Sequence, residues 1–351
     1  MENTLETVLR KSRLWPLVPL IVLLAAVLVL PGCTGGFAIV RQDGLDLPGV
    51  TWFAPEVSAD REVLARWSAA VGPPVTRNEI TPSPTAADTL RIVSWNTALG
   101  AGDVMRLVSD LRADSPNAHI LLLLQEVYRG GPEVPGTFRP GLRYAGLLGD
   151  RKARREEIEA VAAAADLNLY YVPSMRNGSP LDSNEDRGNA ILSSLPLSDL
   201  AAVELPFERQ RRVAVAATVS GHSSDGRSWR LRIVSTHLDN MVGARRGWII
   251  GGEYGRIRQA RALLQYLRGE GAVVLGGDFN TWFGFGERTY AEIARLFPDS
   301  DPLDRRPTFM GLMRLDHLFF RLPEGWKGQF RRAPERYGSD HYPLVGTLTV
   351  G

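Results

Sequence analysis

Cysteine is nearly absent from this chain of 351 residues, because Cys33 is the only one. A disulfide within the chain is therefore excluded, and the fold must be held by noncovalent contacts. Hydrophobic residues make up 44% of the sequence and charged residues 23%. This is an ordinary globular composition with enough apolar material for a core.

Net charge is nearly absent as well. The 41 basic and 39 acidic residues leave a formal charge of +2 at pH 7, so the chain as a whole has no electrostatic signature of nucleic-acid binding. Lysine is scarce, since Lys11, Lys152 and Lys327 are the only three and every other basic residue is arginine. A nucleotide bias of the genome explains that preference as well as phosphate binding does.

A basic stretch followed by an apolar run opens the sequence. Arg10, Lys11 and Arg13 precede the run from Leu14 to Gly32, an arrangement typical of a targeting segment. The run ends in LPGC, which resembles a bacterial lipoprotein cleavage site with Cys33 as the lipidated residue; the alternative is an uncleaved membrane-spanning helix. Both alternatives predict that residues 1–33 tether the protein to a membrane, with the rest of the chain outside the cytoplasm.

The remainder divides into two parts by composition. Residues 34–88 mix glycine, proline and short apolar runs, which is typical of a linker, and one short helix is predicted from Ser58 to Val71. Residues 89–351 alternate short apolar strands with amphipathic helices and are expected to form one domain. Because some strands alternate in polarity while others are apolar throughout, we predict an α/β fold in which sheets pack face to face with helices outside.

The predicted elements share a hydrophobic periodicity bounded by turn residues. The predicted strands are Leu90–Trp95, His119–Val127, Leu167–Pro173, Asn189–Ser194, Arg211–Val219, Trp229–Leu238, Ala272–Phe279, Leu315–Phe320 and Tyr342–Val350. The predicted helices are Gly102–Asp114, Arg151–Asp166, Gly252–Gly269 and Glu287–Phe297.

Asparagine, aspartate, glutamate and histidine residues lie where six of the apolar strands end. They are Asn96 in SWN, Glu126 in LQEV, His237 in STHLDN, Asp278 and Asn280 in GGDFN, Asp316 in LDHLFF, and Asp340 and His341 in GSDHYPLV. Any one of them alone is best explained as a turn or helix cap. Strand ends in layered folds meet an open cleft, so the repetition predicts that these side chains converge there.

These segments, in this order, resemble the motifs of the endonuclease/exonuclease/phosphatase superfamily. Its members are metal-dependent phosphoesterases such as pancreatic-type deoxyribonucleases, abasic-site endonucleases and neutral sphingomyelinases. The resemblance extends from about Arg91 to Val350, and GDFN and SDHYP behind LQEV are its most specific motifs. It implies a four-layer α/β/β/α sandwich, in which two mixed sheets pack together and helices cover both outer faces.

The resemblance also implies roles for the acidic and amide residues. Glu126, with Asn96 and Asp340, is expected to hold Mg²⁺, for which Mn²⁺ often substitutes, because these ions prefer oxygen ligands. Asp278 is expected to position or deprotonate the attacking water, and Asn280 to hold that water or a phosphate oxygen.

The histidines are expected to donate hydrogen bonds to the phosphate. His237 and His341 would do so best as charged imidazolium groups, and Asp316 is expected to pair with His341. Asn189, in DRGNAILSS, aligns with a family position that contacts phosphate, although GNAIL also suits a turn before a strand. His317 is expected to be packed or to face solvent.

Two histidines and one basic cluster have no predicted role. His119 and His222 lie outside the motifs, and the cluster from Glu208 to Arg212 is predicted to be solvated surface. Abasic-site endonucleases carry an acid two positions after the first asparagine, and Ala98 occupies that position here, which argues against a repair role.

The substrate is expected to be chosen by the loop from Gly243 to Arg256. Its Arg245, Arg246 and Trp248 suit a grip on a nucleic-acid strand, an apolar wedge in lipid, or a plain surface loop. The leading hypothesis is therefore a monomeric nuclease. The alternatives are a lipid or small-molecule phosphoesterase and, in a different class, a binding protein that is not an enzyme.

Overall fold

The computed structural model describes residues 36–42, 49–80, 88–136, 155–177, 183–240 and 252–351. The predicted anchor with Cys33, and Arg245, Arg246 and Trp248, lie outside these ranges. Within the ranges, no helix combines the length and apolar character needed to cross a membrane.

The described ranges contain fifteen strands and five α-helices. In chain order the strands are β1 (Ile39–Gln42), β2 (Val50–Pro55), β3 (Val75–Arg77), β4 (Thr89–Asn96), β5 (His119–Gly130), β6 (Asn168–Arg176), β7 (Glu185–Ser193), β8 (Ser198–Glu204), β9 (Val213–His222), β10 (Ser228–His237), β11 (Val273–Asp278), β12 (Asp301–Pro302), β13 (Asp316–Arg321), β14 (Lys327–Arg332) and β15 (Leu344–Thr349). The helices are α1 (Ser58–Ser68), α2 (Val104–Asp114), α3 (Ile158–Ala164), α4 (Gly252–Tyr266) and α5 (Arg288–Ala294).

The strands form two mixed sheets. One has seven strands in the order β1-β2-β8-β9-β10-β11-β13, and the other has eight in the order β12-β14-β15-β4-β5-β7-β6-β3. In the first sheet β10 and β11 are parallel while β11 and β13 are antiparallel. In the second sheet β4 and β5 are parallel while β15 and β4 are antiparallel.

Three apolar clusters establish the layers. The central cluster joins the facing sides of the two sheets, for example through Leu123 of β5 and Val215 of β9. A second cluster packs α4 and α5 on the outer face of the seven-stranded sheet, with Leu263 and Ile293 buried. A third packs α2 and α3 on the outer face of the eight-stranded sheet, with Leu107 buried. The predicted four-layer α/β/β/α sandwich is confirmed.

Local sequence explains why these elements form. In α2 the Asp103 side chain caps the helix by accepting a hydrogen bond from the Arg106 amide at 2.8 Å. The apolar residues that follow share the i, i+3, i+4, i+7 spacing that buries one helix face; they are Val104, Leu107, Val108 and Leu111. In β11, by contrast, every residue is buried, as expected for a strand covered on both faces.

The linker interpretation of residues 34–88 needs correction. The predicted helix is present as α1, but β2 pairs in parallel with β8 and β3 pairs antiparallel with β6. The described part of this segment therefore belongs to both sheets. Its strands are short and bounded by glycine and proline, so their local signal is that of a loop, and only pairing with distant strands makes them ordered.

Candidate active site

The strand ends bring the predicted residues together. Because β10 and β11 are parallel, His237 and Asp278 are register partners at their carboxyl ends, and Asp316 at the start of antiparallel β13 is the partner of Asp278 on its other side. Asn96 ends β4 in the opposite sheet, and its Nδ2 donates a hydrogen bond to Asp278 Oδ2 at 3.0 Å. The site thus lies where the ends of the two sheets meet.

Asp278 is at the centre of this group. Its carboxylate is buried and accepts hydrogen bonds from Asn96 and from the Asn280 amide N–H, the latter at 2.9 Å. Its Oδ2 lies 3.5 Å from Nε2 of His237 and 3.8 Å from Nε2 of His341. Burial and the nearby Asp316 carboxylate raise the pKa of Asp278 to about 6, against the opposing effect of His341 and the two hydrogen bonds.

His341 lies on the side of Asp278 that also carries the carboxylate of Asp316. Its Nδ1 lies 2.8 Å from Asp316 Oδ2, which confirms the predicted pair, and its Nε2 lies 3.9 Å from Asp340 Oδ1. Burial alone would lower the pKa of His341, but Asp316, Asp278 and Asp340 outweigh burial and raise it to about 10. His341 is therefore charged at neutral pH.

His237 has the opposite electrostatics, which corrects the expectation that both histidines are charged. Its Nδ1 lies 3.8 Å from Glu126 Oε1, yet burial, followed by the positive charges of Arg212, His341 and Arg187, lowers the pKa of His237 well below its ordinary value. His237 is therefore a neutral imidazole at neutral pH.

Glu126 is delivered by a distortion in β5. The ladder between β5 and β7 shifts register between Leu124 and Val127, and Glu126 has a left-handed φ of 52°. Bulges of this kind redirect a side chain at the edge of a site, and a strained non-glycine backbone persists only where its surroundings hold it. The Glu126 side chain is 24% exposed, so it faces the opening rather than the core.

The carboxylate oxygen atoms of Glu126 and Asp340 suit a hard divalent cation. Within the described residues, no donor lies within hydrogen-bond distance of the Glu126 carboxylate; Arg187 Nη1 is 4.0 Å away. Asp340 is 47% exposed beside it and adds a second carboxylate. Two partly exposed carboxylates that lie near each other suit Mg²⁺ or Mn²⁺.

Ligand atoms of Asp278, Asp316 and His341 also lie within 4.8 Å of one another. However, Asp316 and His341 already bond each other, and Asp278 accepts from Asn96 and Asn280. This buried group is therefore better suited to moving and holding protons.

Asn280 reaches the site by a turn rather than by strand alternation. The strand β11 ends at Asp278, and Asn280 has a left-handed φ of 50°. Its Nδ2 donates to the Leu238 carbonyl at 2.9 Å while its amide N–H caps Asp278. Asp278 and Asn280 therefore do not lie on one face of an extended strand, and Phe279 is fully buried between them.

The two glycines before Asp278 allow close packing of β11 against its neighbours. A Cβ on Gly276 would lie 2.8 Å from Ser94 Cβ of the opposite sheet, and one on Gly277 would lie 2.2 Å from the Thr236 carbonyl oxygen. Glycine at both positions lets β11 approach β4 and β10 closely, which sets the short distance from Asn96 to Asp278.

The predicted residue Asn189 and one unpredicted residue lie around Glu126. Asn189 of β7 faces the bulge, since its neighbours Gly188 and Ala190 pair with Val127 and Leu124. Its Nδ2 donates to the Val213 carbonyl at 2.7 Å, which holds the two sheets together. Arg187, within the same DRGNAILSS segment, points at Glu126 and was missed.

In the cluster from Glu208 to Arg212, residues 210–212 are buried whereas Arg209 is exposed, so the solvated-surface prediction is wrong for three of its five residues. Gln210, Arg211 and Arg212 are 4%, 1% and 4% exposed. Arg211 pairs with Glu204 at 2.6 Å, whereas Arg212 donates to Gln210 Oε1 at 2.8 Å. Only three-dimensional proximity could have placed Arg212 near His237, because a run of arginines ordinarily indicates a wet surface.

The remaining histidines lie apart from these contacts. His317 is buried, lies 2.8 Å from Thr281 Oγ1 and packs among aromatic rings, as the packed alternative predicted. His119 lies 3.3 Å from Ser194 Oγ, and His222 is exposed at the opposite end of β9.

Comparison with known families agrees with this geometry. Residues 93–341 match the family model described as the Endonuclease/Exonuclease/phosphatase family. The chain belongs to this family. Endonuclease/exonuclease/phosphatase proteins generally hydrolyse phosphoester bonds and generally depend on a metal ion.

Solved structures of this fold resemble the chain at low identity. An endonuclease/exonuclease/phosphatase from Beutenbergia cavernae is 20% identical with a TM-score of 0.52, over 75% of this chain and 72% of that one. Beta toxin from Staphylococcus aureus is 14% identical with a TM-score of 0.47, over 73% and 99%. Sphingomyelinase C from Streptomyces griseocarneus is 16% identical with a TM-score of 0.44, over 74% and 99%. No curated protein matches the sequence at a significant level.

Proposed function

We propose that the protein is a metal-dependent phosphodiester hydrolase that uses an activated water. The observation that supports this most directly is the Asp278 carboxylate, buried and oriented by Asn96, with both histidine Nε2 atoms within 3.8 Å of one of its oxygens. A carboxylate held in this way beside hydrogen-bond donors can take a proton from water while the donors stabilise the phosphoryl oxygens.

Each residue has a separate task in this reaction. Asp278 accepts the proton of the water as its oxygen bonds to phosphorus and the ester P–O bond breaks. His341, kept charged by Asp316, donates a hydrogen bond to a phosphoryl oxygen, and neutral His237 donates another. Asn280 and Asn189 border the space for the phosphate. Glu126, with Asn96 and Asp340, would hold Mg²⁺ or Mn²⁺, whose charge stabilises the developing negative charge on the phosphoryl group.

The substrate is either a nucleic acid or a lipid phosphodiester. The nuclease hypothesis came first from the sequence, but its supporting loop with Arg245, Arg246 and Trp248 lies outside the described residues. The lipid hypothesis gains support from apolar side chains beside the site, which are described in the next subsection. We also propose that residues 1–33 anchor the protein outside the cytoplasm, which palmitate labelling of wild type and Cys33→Ser would test.

A substrate panel tests the proposed activity. Wild type should hydrolyse at least one of bis(p-nitrophenyl) phosphate, plasmid DNA, single-stranded DNA, RNA or phospholipid vesicles with Mg²⁺ or Mn²⁺, and EDTA should abolish the reaction. His341→Gln and Glu126→Gln should lose activity, and Glu126→Gln should also bind Mn²⁺ more weakly in calorimetry. His222→Gln, at the far end of β9, is the matched control for His341→Gln. Wild type that is inactive on the whole panel with either metal would contradict the proposal.

A further inference from the structure

Four apolar side chains project into solvent from two loops next to the catalytic residues. Trp282, Phe283, Met310 and Leu312 are 47%, 68%, 55% and 76% exposed. They are four of the nine large apolar side chains that are exposed in the described residues. We call these four residues the apolar rim. Such a concentration of exposed apolar side chains in a soluble domain marks an interaction surface.

The rim borders the site directly. Trp282 follows Asn280 by two positions, and the second loop touches His341, since the Phe309 and His341 rings are 4.8 Å apart. The Met310 amide donates a hydrogen bond to the Asp340 carbonyl at 2.9 Å. The two loops are joined to each other where Thr281 Oγ1 donates to the Arg314 carbonyl at 3.0 Å.

The exposure of the rim is built into the backbone. Thr281, immediately before Trp282, is fully buried. In the second loop the Thr308 amide donates to the Met313 carbonyl at 2.8 Å, and Met310 and Gly311 have left-handed φ angles of 47° and 74°. A left-handed Met is strained, and surrounding contacts must hold it. Those contacts keep the tip of the turn, with its apolar side chains, directed outward.

The chemistry of the rim favours lipid over nucleic acid. Met310 and Leu312 are aliphatic and have no ring face on which a base could stack, whereas both suit the hydrocarbon boundary of a membrane. Two exposed arginines contact residues near the rim in sequence or near the site. The Arg305 guanidinium is 4.8 Å from the ring centroid of Phe285, two residues after Phe283, and that of Arg336 is 5.8 Å from the ring centroid of Tyr342, which follows His341. Arginine beside apolar tips complements the phosphate layer of a bilayer.

We propose that the apolar rim inserts into a phospholipid surface and that the phosphodiester hydrolysed at this site belongs to a membrane lipid, an inference that rests on the proposed function. In-line attack requires the leaving oxygen to lie opposite the water. Asp278, which activates the water, is at the buried floor, so the leaving oxygen points toward the opening and the rim. Water oxygen therefore bonds to phosphorus, the P–O bond on the lipid side breaks, and the water proton ends on the lipid alcohol, releasing a phosphorylated headgroup.

Two double variants test the rim in the full chain. Trp282→Ser with Phe283→Ser, and Met310→Ser with Leu312→Ser, should each lower hydrolysis of phosphatidylcholine, phosphatidylglycerol or sphingomyelin vesicles by about tenfold or more. Both should keep the wild-type rate on bis(p-nitrophenyl) phosphate within about twofold, because that ester is water-soluble and small. Leu296→Ser, an exposed apolar residue after α5, is the matched control and should change neither rate.

A direct measurement of insertion complements the rates. With the full chain reconstituted in vesicles, brominated phospholipid should quench the tryptophan fluorescence of wild type more than that of Trp282→Phe. The difference between the two proteins reports Trp282 alone, because any quenching that involves the anchor is common to both. Rim variants that hydrolyse vesicles as wild type does, or that lose single-stranded DNA cleavage instead, would overturn the lipid proposal. Wild type that cleaves nucleic acid but no lipid would also overturn the lipid proposal and leave the proposed function standing, whereas wild type that is inactive on the whole substrate panel would reject the proposed function itself.

Discussion

The two sides of Asp278 carry the same residue type in opposite electrostatic surroundings. His341 and His237 are 4% and 5% exposed, and each places its Nε2 within 3.8 Å of the same Asp278 oxygen. On one side the Asp316 carboxylate contacts His341 at 2.8 Å, while on the other Arg212 and Arg187 lie behind His237. Equal burial therefore yields one charged and one neutral imidazole, because neighbouring charges decide which form is stable.

This asymmetry suits hydrolysis of a phosphoester. A charged His341 can stabilise negative charge that develops on phosphorus-bound oxygens, and a neutral His237 avoids adding a further cation beside Glu126, where a metal ion would bind. Replacing individual partners should therefore affect the two sides in different ways.

The largest effect is expected when the shared carboxylate is removed. Asp278→Asn removes the proposed acceptor of the water's proton and should lower hydrolysis by roughly 10³-fold, within the range typical of general bases. Initial rates on the best substrate of the panel measure this loss. Asp225→Asn, in the exposed β9–β10 hairpin, should retain full activity. If Asp278→Asn keeps more than a tenth of wild-type activity, the role of Asp278 as the base is wrong.

The next largest effect is expected when Asp316, the carboxylate partner of His341, is replaced. Asp316→Asn removes the partner that outweighs burial, so the pKa of His341 should fall toward or below its ordinary value, and hydrolysis at pH 7 should drop by roughly 100-fold. NMR titration of the histidine Cε1–H signals measures the pKa, with His237 as the internal comparison. An unchanged His341 pKa in this variant would show that Asp316 does not set its charge.

The same pair should appear in the pH dependence of stability. The folded pKa of His341 is raised to about 10 from an ordinary value of 6.5, so its contribution is fully present below pH 6.5 and is lost as pH rises through 10. Urea unfolding at pH 7 and pH 10 should show a fall in the free energy of unfolding that is about 3 kcal/mol larger in wild type than in His341→Gln. Equal falls in the two proteins would indicate that His341 is not charged in the fold.

The smallest effect is expected when Arg212, which lies near His237, is replaced. Arg212→Met keeps His237 buried but removes a positive charge, so the pKa of His237 should rise toward its ordinary value while that of His341 changes little. The rate at pH 7 should fall by roughly threefold, which corresponds to under 1 kcal/mol. The same NMR titration checks both histidines, and a His237 pKa unaffected by the substitution would show that Arg212 does not lower it.

Sequence patterns predicted the parts of the site that depend on strand ends. Asn96, His237 and Asp278 end strands in the structure as expected, and the Asp316–His341 pair is present. These predictions succeeded because alternating polar and apolar residues, and continuous apolar runs, indicate strands locally. The order of the motifs resembled that of the family, and this resemblance indicated how the strands are arranged. Their chemical roles remain predictions until activity is measured.

Other features depended on contacts that no local pattern reports. Arg212 follows Arg211 in a run that indicates a wet surface, yet both are buried. Arg211 lies between Glu204 of β8 and the Pro173 carbonyl of β6, so it contacts both sheets. The strands in residues 34–88 are short and become ordered by pairing with β6 and β8. The bulge that carries Glu126 appears only where β5 pairs with β7.

The sequence alone determined the set of residues, their order along the chain and their positions at the ends of apolar strands. Those properties were sufficient to show the resemblance to the family, because motifs are read from neighbouring residues, and the resemblance in turn implied the sandwich. Only tertiary structure decided the charges of His237 and His341, the position of the Glu126 carboxylate and the outward direction of the apolar rim. Each depends on burial and on distances of a few ångströms between residues far apart in the chain, where electrostatic energies are largest.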